Sequence, residues 1–112
     1  MDTKGLLSQR IKIVLRRFHP QTPREIVRGI ITDVDETGVR VSGRRFQEHP
    51  DLESGVSMER PVEADNKVYW IPHGSIRYTE IIVPGSSSEK VDNEIQQRKI
   101  LTPQELQRST ET

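Results

Sequence analysis

The sequence predicts a mainly β fold: one small five-stranded barrel with a short N-terminal helical turn, a long acidic loop and a flexible C-terminal tail. Three observations carry this. Several short segments alternate apolar and polar residues with the period of two that half-buries a strand. Corners led by Pro or Gly separate these segments at close intervals. The chain has 112 residues, 31% of them apolar and 30% charged, so it can bury only a modest core. That leaves one barrel domain over residues 1–84 and a polar remainder.

The first segment, "LLSQRIKIVLRRF", fits both a helical stripe and a strand. The clustering of β-branched residues after Arg10 favours a helical turn ending near Ser8 and then a strand over residues 9–18. "HPQTP" breaks the chain, because each Pro removes a donor and pushes the preceding residue toward extended geometry. "REIVRGIITDVDETGVRVSGRRF" then reads as a hairpin with arms 25–35 and 38–46, reversed at "DETG". Val27, Gly29 and Ile31 share one face, but the alternation slips by one before Val34, which implies a bulge near Asp33. Gly29 lacks a Cβ and allows another strand to approach closely.

Residues 47–66 carry two Pro, many acids and no usable period, and are expected to form a mobile loop inserted in the barrel. Strands resume at "KVYWI", turn at "PHGS" and finish with "IRYTEIIV". Trp70 shares a face with Val68 and is expected inside. From residue 85 to 112 the chain reads as a flexible tail, with Thr102, Pro103 and Glu105 capping a short helix near 102–109. Five strands in this order suit a closed SH3-like or Sm-like barrel, whose closure removes aggregation-prone edges.

Charge is balanced overall but not along the chain. Residues 7–46 hold nine Lys or Arg against four acids, and residues 47–66 hold six acids against Arg60 alone. No Cys is present, which removes disulfides, thiolate ligands and a Cys nucleophile. No apolar leader and no span long enough for a bilayer is visible, so a soluble cytoplasmic protein without membrane contact is expected. His19, His49 and His73 have no metal-ligand spacing, and Asp33 and Asp35 suit a turn better than acid and base work. The expectation is therefore no enzyme, no metal and no cofactor.

"LLSQRIKIVLRR" followed by "REIVRGIITDVD" resembles the first motif of the Sm-like RNA-binding proteins, the LSm and Hfq type, with Gly29, Ile31, Val34 and Asp35 at the motif positions. "WIPHGSIRYTEI" is similar to the last strands of the C-terminal barrel of the bacterial ribosome maturation factor, through Ile71, Pro72, Ile76 and Ile81. Together the two cover residues 6–83 without the acidic loop. The resemblance implies a single-stranded RNA partner and homo-oligomers joined through strand edges. It departs from the Sm pattern after Asp35, where Glu36 and Thr37 stand in place of a Met-Asn pair that helps form a uridine pocket. It leaves open a protein-interaction barrel without nucleic acid, or a ribosome-associated one. Arg44, Arg45, His73, Arg77 and Tyr78 are the candidate RNA contacts, Arg for phosphate or guanine and the rings for stacking, with Arg16 and Arg17 next. The plainer reading of these Arg side chains is a solvated strand face.

Overall fold

The computed structural model describes residues 7–51 and 53–100. Six antiparallel strands form one bent sheet: β1 (Arg10–Leu15), β2 (Glu25–Val34), β3 (Gly38–Pro50), β4 (Ser57–Pro61), β5 (Lys67–Pro72) and β6 (Ile76–Ile81). One helix, α1 (Ser87–Gln96), follows. The sheet order is β4-β3-β2-β1-β6, and β5 also pairs with β3.

β3 explains the shape. Its first half pairs with β5, Gly38 opposite Pro72 through Gly43 opposite Lys67, and its second half with β4, Phe46 opposite Pro61 through Pro50 opposite Ser57. At the point of changeover Gly43 faces Gly29 of β2, and a Cβ on Gly29 would lie 2.2 Å from the Ser42 carbonyl oxygen. Only a residue without a side chain lets the two backbones coil past each other here. The expected bulge is present as well: Ile31 pairs with Val41 and Asp33 with Arg40, so Thr32 is the extra residue.

Alternation sorts the side chains into two layers. Ile11, Ile13, Val27, Ile31, Val39, Val41 and Ile71 fill the concave inside. Val14, Ile26 and Phe46 point the other way and are buried by Ile95 of α1. Strands β1 and β2 are thus buried on both faces, which is why their sequences carry apolar residues in both parities.

Several expectations need correction. The sheet has six strands, not five, and it is open: among the described residues no ladder joins β5 to β6, because Pro72 leads into a 3-10 turn (His73–Ser75) that carries β6 away to β1. Residues 47–66 are not a free insertion, since they contain the end of β3 and all of β4. The alternating pair Glu59 and Pro61 is buried there under the helix side of the sheet. Residues 87–96 are a docked helix where a flexible tail is expected. Ser86 is its N-cap, accepting from the Glu89 amide, while Glu89 reaches back past the cap to accept from the Gly85 amide and the Ser86 amide donates to the Val83 carbonyl. Of the expected N-terminal helical turn, only Leu7 and Ser8 fall in the described residues; they form a turn, with Ser8 at φ 65° and its amide donating to Ile31. The expected helix near 102–109 lies outside the described residues. Trp70 and Val68 face outward, at 45% and 67% exposure, because Tyr69 and Ile71 take the inward parity of β5.

Candidate functional site

The arginines divide by what they meet. Arg28 on β2 is 3% exposed, and its guanidinium grips both carboxylate oxygens of Glu59 at 2.8 and 2.7 Å and Oδ1 of Asp92 at 2.8 Å. Burial pulls the Arg28 pKa down, but the hydrogen bonds and charges of Glu59 and Asp92 outweigh it and hold the pKa above its ordinary value. Arg10 closes the network by pairing with the other oxygen of Asp92. These contacts fasten α1 to β1, β2 and β4.

Two of the sequence-predicted contacts belong to the same framework. Arg44 donates to the backbone carbonyls of Glu63 (3.2 Å), Gln96 (2.7 Å) and Arg98 (3.1 Å), and its guanidinium lies 5.3 Å from the centre of the Phe46 ring. It caps the carbonyl end of α1, where the helix dipole favours a cation. Arg45 lies between Glu25 (3.5 Å) and Glu63 (3.6 Å). Lys67 approaches the same Glu63 at 2.9 Å. That hydrogen bond, ahead of the charges of Lys67 and Arg45, holds the Glu63 pKa below its ordinary value.

His73 sits elsewhere. Its ring Nε2 is 2.7 Å from the Asp35 carbonyl oxygen, and its amide donates to the Thr37 carbonyl, so it ties the 3-10 turn to the β2–β3 hairpin. The structure does not bring it together with Arg44, Arg45 or Arg77.

Arg77 does have company. It lines a cavity of about 310 Å³ with Leu15, Arg16, Arg17 and Arg24. None of these four arginines has a carboxylate within 4 Å among the described residues, and all but Arg24 are exposed. The chain brings them together because β1 ends at Leu15, the connection "RRFHPQTPR" wraps the sheet end, and β6 starts beside it. Arg16 is pinned there, its amide donating to the Ser75 carbonyl (2.9 Å) and its Nε to that of Ile76 (3.3 Å). Tyr78, next to Arg77 on β6 and opposite Val14, is 46% exposed, and Phe18 on the connection is 86% exposed.

A second cavity of about 520 Å³ adjoins the first through shared Leu15, Arg16 and Arg17, and extends to Phe18, Pro23, Glu25 and Gln47. Leu15, Glu25 and Gln47 have the inward parity of their strands, so this cavity is the mouth of the sheet's concave side. The site is an arginine cluster beside an apolar-walled recess. Arg24 and the recess were missed from sequence; the Pro-marked break at 19–23 was the available signal, since it forces the flanking arginines to converge.

No family model, curated protein or solved structure matches this chain. Among the described residues no helix is long and apolar enough to cross a membrane.

Proposed function

We propose that the protein is a non-catalytic module of Sm-like kind that binds single-stranded RNA across the arginine end of its sheet. One observation carries the reading: Arg16, Arg17, Arg24 and Arg77 converge with no carboxylate within 4 Å among the described residues, whereas Arg10, Arg28 and Arg45 are paired with carboxylates and Arg44 with backbone carbonyls. Four cations kept together at a surface repel one another unless an anion neutralises them. The exposed Phe18 ring, which lines the adjoining recess, supplies a stacking face for an unpaired base, and Tyr78, next to Arg77 along β6, is a second exposed ring. In this arrangement Arg77 and Tyr78 remain contacts, Arg16 and Arg17 gain weight, and Arg44 and Arg45 support the fold instead.

Anisotropy titration of a labelled oligouridine against salt tests this. Binding is expected with a log–log slope of about −3, from about 0.7 per neutralised phosphate at four sites. Replacing Arg17 and Arg77 together with Ala should flatten the slope by about 1.4, whereas Arg44→Ala should leave the slope unchanged. Absence of binding to U-rich, A-rich and structured RNA at low salt refutes the proposal.

A second reading concerns assembly. β5 and β6 each present an unpaired edge among the described residues, and Val68, Trp70, Ile81 and Val83 are exposed beside them. Open edges with apolar flanks favour pairing with another strand, and a further copy of this chain offers both edges at once.

A further inference from the structure

We infer that the recess beside the arginine cluster selects a guanine base of the bound single strand. This rests on the RNA-binding reading and adds a specificity to it. The recess is large enough for one nucleobase, and Leu15, Phe18 and Pro23 give it apolar walls against which a ring packs. Its charged groups are of opposite kinds: Arg16 and Arg17 line the same space as the acidic Glu25, with the uncharged polar Thr22, Gln47 and Ser75 beside them.

Glu25 is the discriminating group. Its Oε1 accepts from the Gln47 side-chain amide at 3.2 Å and faces Arg45 at 3.5 Å, while its Oε2 has no hydrogen-bond partner among the described residues. The contact from Gln47 and the ion pair to Arg45 orient the carboxylate from one side and leave the other oxygen available. An ionised carboxylate only accepts hydrogen bonds. Guanine alone presents two adjacent donors on its Watson–Crick edge, N1–H and the N2 amine. Uracil flanks its one ring N–H with carbonyl oxygens, and adenine and cytosine place an acceptor next to the amine, so each sets a lone pair against the carboxylate. On its other side guanine carries the O6 and N7 acceptors, for which Arg is the matching donor. A carboxylate and guanidinium groups around one recess therefore fit guanine better than any other base, and the phosphate beside it reaches the arginine cavity through the residues the two cavities share.

The test is an anisotropy comparison of oligouridines of equal length in which one central position is U, A, C or G, supplemented by a serine-phosphorylated peptide as competitor. The single G is expected to tighten binding about tenfold over U, toward the low end of base-edge discrimination, because the one free oxygen, Oε2, has to accept from both guanine donors. Glu25→Gln, which keeps a partner for Gln47, should bring the G-to-U ratio close to one. The readout is a ratio, so any general gain in affinity from losing a negative charge cancels. Equal binding of all four oligomers overturns the inference while leaving RNA binding intact. A preference for G that survives Glu25→Gln also overturns it. Failure to bind any oligomer, or stronger binding of the phosphopeptide than of RNA, removes the RNA-binding reading and the inference with it.

Discussion

Asp92→Ala is the sharpest probe of how the helix is held. Asp92 has no exposed surface, and Arg28, the group it contacts at 2.8 Å, is 3% exposed. Truncation leaves Arg28 with Glu59 alone, so a cation neutralised by two carboxylates becomes a buried charge with half its partners. Removing one member of a buried ion network costs about 3–5 kcal/mol, most of it the desolvation of the charge left behind. The Arg10 arm, with a side chain 32% exposed, adds about 0–1 kcal/mol because water replaces the lost contact. A domain of this size has about 5–15 kcal/mol in all. Asp92→Ala should therefore cost about 3–6 kcal/mol in all and lower the melting temperature by about 12–48 °C, at about 4–8 °C per kcal/mol. Urea unfolding followed by far-ultraviolet circular dichroism measures the loss directly. The triple replacement Arg28→Met, Glu59→Leu and Asp92→Leu should recover most of it, since apolar groups of similar volume need no neutralisation. A loss below about 1 kcal/mol for Asp92→Ala, the scale of an exposed pair, would refute the reasoning and the docking of α1 with it.

Two further outcomes follow from the hairpin and from the open sheet. The Asp35 carboxylate accepts from the Thr37 hydroxyl first, then from the Thr37 and Gly38 amides, and these bonds hold its pKa below the ordinary carboxylate value. A folded pKa below the unfolded one gives stability that is complete above about pH 4 and is lost as pH falls through the folded value. The stability gap between the protein and Asp35→Asn should accordingly be constant near neutrality and shrink below about pH 4; a gap unchanged at lower pH contradicts the assignment. Light scattering should give a mass of several 12.9 kDa chains if the β5 and β6 edges pair between copies, and a monomeric mass across the micromolar range removes that reading.

The parts of the fold legible in the sequence are those fixed by local rules. The slip in alternation before Val34 located the Thr32 bulge, and Gly29 marked the close approach to Gly43, because period and side-chain absence act on the strand that carries them. α1 is not among them: "SSSE" reads as linker, although Ser86 and Glu89 hold the start of the helix and Ile95 is its buried apolar position. Its helical stripe is weak because one of its buried positions is Asp92, which counts as polar in any periodicity and is buried only because Arg28 waits beneath it. Strand β4 was hidden for the same reason, since the residue it buries beside Pro61 is Glu59. A charge network that joins three distant segments makes each of them look like solvent-exposed chain.

The same pairing explains why the candidate site shifted along the molecule. Counting arginines in a basic stretch treats Arg28, Arg44 and Arg45 as equal to Arg16, Arg17 and Arg24, yet the first three meet carboxylates or helix carbonyls supplied by residues 59, 63, 92, 96 and 98. The acids of residues 47–66 are thus not a screen over the whole basic face. Glu59 and Glu63 neutralise its centre, while four arginines without a carboxylate within 4 Å among the described residues gather at the end where the β1–β2 connection and β6 meet. A partner attracted by charge is directed to that end, where the recess holding Glu25 adjoins the cluster. In the proposed complex with single-stranded RNA, affinity and base selection would come from adjacent groups, arginines for the phosphates and one carboxylate for the base, so that each could be altered without the other.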